Sequence, residues 1–357
     1  MKRVGILNSG GDCSGLNAVI ASAVKTGHAL GYELVGFLKG WEGILDPMMY
    51  RALTPESVRG ISHLGGTILG TVNHGRFGAK QGAGDSRRIP AEILKAAADN
   101  LKKIEIDGLI VIGGDGTLSG AVQLQEHGVK IVGVPKTIDN DLMLTARTFG
   151  FSTAVQVVVD ALDRIHTTAT SHERVIFVET MGRHTGWIAF RAGLAGGAHA
   201  ILVPEFEFKV ADLVEFLRQR QAMYRSSVIV VAEGARVGAS EVYQKAEAER
   251  EIKLGGIGNH LMNMVEAMAP GEFVMRNTVL GHIQRGGTPT AADRVVAKAY
   301  GCEAMKAYHR GEYGTVVAYV NQHMVTVPIE ACTGALKEVT SDSLEYVTAR
   351  DLGVFVH

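Results

Sequence analysis

Short apolar runs alternate with longer segments of helical periodicity along most of the chain. Because short continuous apolar runs are typical of strands buried in parallel sheets, this alternation predicts an α/β protein built from βαβ units. In the first half, strands are predicted at 4–7, 32–37, 108–112 and 129–134, and helices at 16–30, 91–103, 119–126 and 155–166.

The second half repeats the alternation and predicts a second sheet. Strands are predicted at 175–180, 201–203 and 228–232, and helices at 187–195, 210–224, 257–268 and 291–307. The charged segment 242–251 is also predicted to be a helix, and 315–357 has a mixed pattern that predicts no single arrangement. The fold class that follows is α/β, with two Rossmann-like, three-layer αβα domains.

Two polar segments follow neighbouring predicted strands. The segment GGDGT (113–117) follows the strand at 108–112, and PKTIDND (135–141) follows the strand at 129–134. Ligands of parallel sheets collect at the carboxyl ends of the strands, so these two segments are the candidate active site.

Glycine-rich turns join predicted strands to helices twice, in SGGD at 9–12 and in GGDGT at 113–117. Such a turn either simply permits a positive φ or holds an anion with its backbone N–H groups and the helix N-terminus. Because both turns would open on one sheet, together they favour phosphate binding. The glycine-rich segment 62–88 between them is predicted to be a long surface loop.

The acidic segment 139–141 has two interpretations. Asn and Asp favour turns, so these residues could be turn chemistry alone. Phosphoryl transfer to a hydroxyl, however, needs a carboxylate to accept a proton, and a metal-bound phosphate needs oxygen ligands. Asp115, Asp139 and Asp141 lie close to Lys136 and several glycines, which favours phosphoryl transfer, with Asp115 as a Mg²⁺ ligand directly or through water.

Several cationic residues lie at or near the ends of predicted strands. They are Arg174, Arg183, Arg276, His282 and Arg285. Any one of them is most simply a solvated charge, but their shared position favours a sugar phosphate, because a guanidinium group binds such a dianion with two hydrogen bonds. Glu233 could be a paired structural carboxylate or could accept hydrogen bonds from sugar hydroxyls, and composition does not separate the two.

Bulk properties exclude some classes of protein. The 357 residues allow two domains, and a net charge of −1 gives no electrostatic reason to expect a nucleic-acid or membrane partner. The three cysteines are far apart, which favours a reduced environment. The first residues enter a strand directly, without a signal peptide, so a cytoplasmic location is expected.

The chain resembles the phosphofructokinase A family. The motifs that carry the resemblance are SGGDCSGLNAVI, GGTILGT, GGDGTLSGA, PKTIDND, TSHERV, MGRHTGWIA, VPE, AEG and RNTVLGHIQRGGTP, in that order from Val4 to about Asp293. The resemblance implies a glycolytic 6-phosphofructokinase that transfers a phosphoryl group to the 1-hydroxyl of fructose 6-phosphate, with Mg²⁺ as cofactor. It implies an active site in the cleft between a donor-binding domain (1–150 plus about 284–334) and a fructose 6-phosphate domain (151–283 plus about 335–357).

The resemblance also implies roles for single residues. Asp139 would be the base, Thr137, Asp141 and Lys136 would complete the catalytic segment, and Arg183 would stabilise the transferring phosphoryl group. The donor would be bound by Gly11, Asn73, Arg76, Gly114, Asp115, Gly116, Thr117 and Gly120, with Asp115 also the metal ligand. The sugar phosphate would be bound by Thr137, Asp139, Arg174, Met181, Gly182, Arg183, Glu233, Arg276, His282 and Arg285. Because Arg174 and Arg276 look like the pair that reaches the sugar phosphate from a neighbouring subunit, a homo-oligomer, tetramer or dimer, is expected.

Two positions bear on the phosphoryl donor. Gly116 resembles the enzymes that use ATP, since pyrophosphate users usually carry Asp there, whereas Lys136 is typical of pyrophosphate users. Repulsion by a carboxylate would exclude ATP more surely than an added lysine would select pyrophosphate. Because that carboxylate is absent at Gly116, ATP is expected. Pyrophosphate-dependent transfer is the alternative within this family.

The chain departs from the family pattern in three places. Asn73 replaces an arginine that contacts the nucleotide, for which Arg76 could substitute, and Ala146-Arg147 replaces an acidic-aromatic pair. The positions of the family's anionic effector site have lost most of their charge, so regulation by phosphoenolpyruvate or ADP is not expected. These positions are Ala21, Lys25, His166, His199 and Tyr224.

Two further alternatives remain. Diacylglycerol and NAD kinases share GGDGT, but PKTIDND, MGRHTG and GHIQRGG argue against them. A catalytically silent paralogue that binds sugar phosphate is left open by Asn73 and Ala146-Arg147, although intact Asp115, Asp139, Asp141 and Arg183 argue against it.

Overall fold

The computed structural model describes residues 2–72, 75–77, 88–237 and 256–356, and the backbone of 243–245 and 252–254. The strands are β1 (Arg3–Asn8), β2 (Glu33–Phe37), β3 (Tyr50–Leu53), β4 (Ile106–Gly113), β5 (Lys130–Pro135), β6 (Val175–Thr180), β7 (Ala200–Leu202), β8 (Ser227–Ala232), β9 (Tyr243–Lys245), β10 (Ile252–Leu254), β11 (Met275–Val279), β12 (Thr315–Val320), β13 (His323–Pro328) and β14 (Phe355–Val356). The helices are α1 (Leu16–Ala29), α2 (Ala91–Lys103), α3 (Asp115–Gln125), α4 (Phe151–Ser171), α5 (Trp187–Ala195), α6 (Val210–Met223), α7 (Ile257–Met268), α8 (Ala291–Arg310) and α9 (Leu344–Asp351).

The chain divides into two compact units. Unit 1 comprises Met1–Thr153 and Arg285–Leu336, and unit 2 comprises Ala154–Gln284 and Lys337–His357. Each unit contains its own mainly parallel sheet and its own apolar core, so the predicted α/β class with two sheets is confirmed.

Unit 1 contains a sheet with the order β13-β12-β5-β4-β1-β2-β3 among the described residues. Only the outer pairs, β12–β13 and β2–β3, are antiparallel. The central strand β4 is almost wholly buried, and its Leu109 and Val111 belong to the same core as Leu94 of α2 and Leu118 of α3. This burial on both faces explains the continuous apolar run in the sequence.

Unit 2 contains a parallel sheet with the order β11-β6-β8-β7-β14. Its strands β6 and β8 are buried at every position, and Phe177, Leu213 of α6 and Leu261 of α7 share one core. The last strand, β14, pairs with β7 in parallel. The end of the chain, whose sequence pattern predicted no single arrangement, therefore completes this sheet.

The predicted helix at 242–251 is wrong. Within it, Tyr243–Lys245 is a strand that pairs antiparallel with Ile252–Leu254. The segment YQKAEAERE has no apolar stripe, so the prediction depended on helix propensity alone, which tertiary context readily overrides. Across the described part of the chain, no helix is both long and apolar enough to cross a membrane.

Candidate active site

The carboxyl ends of β1, β4 and β5 meet at one edge of the unit 1 sheet. Gly113 and Pro135 are register partners, and the Lys136 N–H donates to the Gly113 carbonyl at 2.8 Å. The Ser9 N–H donates to the Ile112 carbonyl at 3.1 Å, which brings the first glycine turn to the same edge. The predicted proximity of SGGD, GGDGT and PKTIDND is therefore confirmed.

A cavity of about 250 Å³ opens at this edge, entirely within unit 1. Most of the predicted donor residues and part of the predicted catalytic segment surround it. Its lining residues are Ser9, Gly10, Gly11, Trp41, Glu42, Val72, Gly75, Phe77, Gly114, Asp115, Gly116, Thr117, Lys136, Thr137, Asp139 and Arg285.

Backbone N–H groups and small residues form one wall of the cavity. Gly10 has φ +80°, a conformation that favours glycine, and a Cβ placed on Gly11 would lie only 2.6 Å from Nη1 of Arg285. Helix α3 begins at this wall, and no side chain caps its Gly114 N-cap position. The first-turn N–H groups of a helix lack partners within the helix and favour anions, so this wall is suited to phosphate.

The acidic segment is organised around the hydroxyl of Thr137. This oxygen accepts a hydrogen bond from the Asp139 N–H at 3.0 Å and donates to Oδ1 of Asp141 at 3.1 Å. Asp139 lines the cavity, whereas Asp141 does not and instead holds Thr137. One hydroxyl thus connects the two predicted carboxylates.

Two cations complete the phosphate side of the cavity. The buried Lys136 donates from Nζ to the Gly11 carbonyl, and Arg285 donates from Nη1 to the Asp12 carbonyl at 3.3 Å. Burial, together with the charge of Arg285, lowers the pKa of Lys136 to about 8, although Cys13, Asp12 and Asp139 oppose the shift. Arg285, predicted with the sugar-binding residues, thus lines the same cavity as Gly11.

Asp115 is suited to a Mg²⁺ ion that arrives with a phosphate. It is half-buried, lines the cavity and accepts the Gly334 N–H at Oδ1 across 2.9 Å. The described residues contain no group of three or more His, Cys, Asp or Glu side chains that could hold a metal. Mg²⁺ is usually held by one or two carboxylates together with substrate phosphates, so a single carboxylate beside a phosphate cradle fits this ion.

One wall of the cavity is aromatic and was not predicted from the sequence. The rings of Trp41 and Phe77 stack with centroids 4.4 Å apart and planes inclined by 12°, and both line the cavity. Gly120, a predicted donor residue, lies behind this wall, because a Cβ there would be 3.4 Å from Phe77 Cε1. Single aromatic residues in irregular segments give no periodic signal, so sequence pattern alone could not have found the pair.

Arg76 forms hydrogen bonds with Glu42 and Asp46 near the cavity. Its Nε donates to Glu42 Oε2 at 3.0 Å, and its Nη1 donates to the Asp46 carbonyl at 2.9 Å. It does not belong to the lining, whereas its neighbours Gly75 and Phe77 do. Asn73, the other predicted donor residue in this segment, lies outside the described residues.

In unit 2, several predicted sugar-binding residues gather at the carboxyl ends of β6 and β8. The Glu233 N–H donates to the Thr180 carbonyl at 2.8 Å, and the Gly234 N–H donates to the Gly182 carbonyl at 3.1 Å. The Met181 N–H donates to Oε1 of Gln284 at 3.2 Å, which connects this edge to the segment that carries His282. Arg183 follows Gly182 on the same edge and is exposed.

Arg174 and Arg276 lie at the opposite side of the same sheet, where the strands begin. Arg174 precedes β6, and Arg276 is the register partner of Ile176 near the start of β6. A six-residue strand spans about 20 Å, so these two residues are far from Arg183 within unit 2. The expectation that all the cations share the ligand-binding end of the sheet is therefore wrong for this pair, because they precede their strands or begin them.

Fold and site together define an α/β phosphotransferase. The sequence profile described as "Phosphofructokinase" matches residues 3–308, and the chain belongs to the phosphofructokinase family. It is 46% identical over 355 residues, 99% of this chain and 97% of the relative, to the ATP-dependent 6-phosphofructokinase of Chloroflexus aurantiacus. It is 43% identical over 358 residues, 99% of each chain, to the pyrophosphate–fructose 6-phosphate 1-phosphotransferase of Streptomyces coelicolor.

The solved phosphofructokinase of Saccharomyces cerevisiae has the same fold. It superposes with a TM-score of 0.79 at 30% identity and covers 93% of this chain. This chain spans 45% of the yeast chain, so the comparison concerns less than half of that protein.

Proposed function

We propose that the protein is an ATP-dependent 6-phosphofructokinase that phosphorylates the 1-hydroxyl of fructose 6-phosphate in glycolysis. The observation that carries the choice of ATP is the composition of one cavity, which joins the glycine walls and cations to the stacked Trp41 and Phe77. An aromatic surface contributes to the binding of a nucleobase, whereas pyrophosphate has no ring to place against it.

The two donor-site residues support the same choice. Gly116 leaves the start of α3 without a second carboxylate beside Asp115, so nothing there repels the additional phosphate of a nucleotide. Lys136 is held at the Gly11 carbonyl, where its charge serves either donor. Pyrophosphate remains the second candidate donor, because relatives of nearly equal identity carry both names.

Asp139 is proposed as the base of the reaction. Its carboxylate lines the cavity next to the phosphate-binding walls, where it would accept the proton of the sugar hydroxyl as that oxygen attacks the terminal phosphorus. Thr137 and Asp141 hold the Asp139 backbone through their hydrogen-bonded chain. Lys136 and Arg285 would stabilise the negative charge of the transferring group.

A Mg²⁺ ion bound with the donor would be held by Asp115. When present, such an ion neutralises phosphate charge and makes the phosphorus a better electrophile. The residues that line the cavity would bind and orient the donor.

The remaining roles are proposed from the resemblance. Unit 1 would bind the donor and unit 2 the sugar phosphate, with Met181, Gly182, Arg183, Glu233 and His282 at the carboxyl edge of its sheet. Arg174 and Arg276, which lie at the opposite edge, would serve a neighbouring subunit of a homo-oligomer. A tetrameric or dimeric state belongs to this proposal.

Initial rates with fructose 6-phosphate and Mg²⁺ test the donor, with ATP and inorganic pyrophosphate compared at matched concentrations. The proposal expects turnover with ATP and about 100-fold less, or none, with pyrophosphate. Turnover with pyrophosphate alone would make Lys136 the deciding residue and reject ATP. An absence of turnover with both donors would favour a catalytically silent sugar-phosphate-binding protein.

A further inference from the structure

The catalytic segment 136–141 is backed by a second segment, 147–150, which makes no contribution to the cavity lining. The Thr148 hydroxyl donates to the Thr137 carbonyl at 2.7 Å, and the Thr148 N–H donates to Oδ1 of Asn140 at 2.9 Å. Lys136 and Phe149 form a parallel β-bridge beside these bonds. Thr137 and Asn140, which lie on either side of Asp139 in the sequence, are therefore held by hydrogen bonds to Thr148.

Asn140 occupies a special backbone position. Its φ is +54°, in the left-handed region, where L-residues other than Asn and Asp are disfavoured. The residue is 3% exposed, and Thr148 is fully buried, so the hydrogen bond between them is protected from water. The turn that presents Asp139 thus depends on a buried side-chain contact as well as on a backbone conformation.

The backing segment is itself fixed to α8. The Tyr300 hydroxyl donates to the Arg147 carbonyl at 2.6 Å. Three residues beyond the segment, at the start of α4, the Thr153 N–H donates to Oδ2 of Asp293 at 2.7 Å. Both Tyr300 and Asp293 are fully buried. Helix α8 therefore positions the segment that contains Thr148, and the hydrogen bonds of Thr148 position the catalytic segment.

We propose that Thr148 and Asn140 are positioning residues that set the place of Asp139 relative to the bound donor. This inference rests on the proposed function, since it assigns Asp139 as the base. Neither residue lines the cavity, so we expect their loss to change the chemical step more than binding. Displacement of a catalytic group by about 1 Å can cost on the order of 100-fold in rate.

The Thr148 hydroxyl is tested with a matched pair of variants, assayed with ATP and fructose 6-phosphate. Thr148→Val keeps the shape and removes the hydroxyl, whereas Thr148→Ser keeps the hydroxyl. We expect Thr148→Val to lower kcat about 10- to 100-fold with both KM values within twofold of the wild type. Thr148→Ser should restore kcat to within about threefold of the wild type.

The Asn140 side chain is tested by a substitution that preserves the positive φ. Asn140→Gly tolerates the left-handed backbone but removes the acceptor for the Thr148 N–H, and we expect kcat to fall about tenfold. Asn321, exposed and with φ +47° in the turn between β12 and β13, supplies the control, since Asn321→Gly should leave kcat unchanged.

Specific outcomes would overturn the inference. These are a Thr148→Val enzyme with wild-type kcat, a Thr148→Ser enzyme as slow as Thr148→Val, or an Asn140→Gly enzyme that matches Asn321→Gly. A rise in KM without a loss of kcat would also reject positioning in favour of a binding role. The activity of the wild type distinguishes failure of the positioning role from failure of the proposed function, because an inactive wild type rejects the proposed function itself.

Discussion

The Thr137 hydroxyl donates a hydrogen bond to the Asp141 carboxylate across 3.1 Å. The same oxygen accepts the backbone N–H of Asp139 at 3.0 Å, so Asp141 acts on Asp139 through Thr137. This chain of bonds explains why two carboxylates and one threonine lie so close together in the sequence. Only one of the two carboxylates, Asp139, lines the cavity.

Removal of the Thr137 hydroxyl should uncouple the two carboxylates. We expect Thr137→Val to lower kcat by about 100-fold and Thr137→Ser to retain most of the rate, because only the serine keeps the shared oxygen. Steady-state kinetics with both substrates varied would measure this. Thr340→Val is a matched control, since Thr340 donates to Asp342 in the same way at an exposed site; an equal loss of rate in that control would contradict the account.

The charge of Lys136 should give donor binding a pH dependence. Burial lowers the pKa of Lys136 to about 8, so in the free enzyme its positive charge is present below this pH and is lost above it. Since that charge attracts donor phosphates, kcat/KM for the donor should fall as the pH rises through about 8. In Lys136→Met the fall should be absent, while in Lys298→Met, which alters an exposed lysine of α8, it should persist. A profile that is the same in wild type and Lys136→Met would refute this role.

The aromatic wall should distinguish a nucleotide from pyrophosphate. Stacking of a base on an aromatic ring contributes about 1–3 kcal/mol, so Phe77→Leu should weaken competitive inhibition by ADP about tenfold. Inhibition by pyrophosphate should change less than about twofold, because that ligand needs only the phosphate side of the cavity. Inhibition constants from initial rates would show the contrast, and equal losses for both inhibitors would mean that Phe77 only supports the fold.

Glu179 should contribute strongly to the stability of unit 2. Its buried carboxylate accepts the Gly256 N–H at 2.8 Å and the Gly258 N–H at 3.1 Å, at the start of α7. Glu179→Ala leaves these donors without their acceptor and should lower the free energy of unfolding by about 2–4 kcal/mol. Urea denaturation would measure the loss, with Glu215→Ala on the exposed face of α6 as a control. A loss below about 0.5 kcal/mol would show that water replaces the carboxylate.

Much of the fold could be predicted from the sequence, because strong periodicity and buried strands leave clear patterns. Helix α2 follows Pro90 and runs over the predicted residues, and β6 and α5 also have their predicted bounds. The adjacency of GGDGT and PKTIDND followed from one rule, that parallel strands bring their carboxyl ends to the same edge.

Other features depend on contacts that are distant in sequence. Trp41 and Phe77 are 36 positions apart and stack only because the fold brings their segments together. Arg285 reaches the Gly11 wall from a part of the chain that follows four of the five strands of the second sheet, β6, β7, β8 and β11. Segment 242–251 was misjudged because its charged residues carry no pattern that separates a helix from a strand such as Tyr243–Lys245.

In the proposed reaction, Asp139 accepts the sugar hydroxyl proton while ATP supplies the phosphoryl group. Phosphorus NMR of the enzyme with Mg²⁺, ATP and fructose 6-phosphate tests it directly, because the donor and the new phosphate ester are seen together. We expect the wild type to form fructose 1,6-bisphosphate and ADP in equal amounts, and Asp139→Asn to do so about 10³ times more slowly. A rate unchanged in Asp139→Asn, or a new ester formed without loss of ATP, would contradict it.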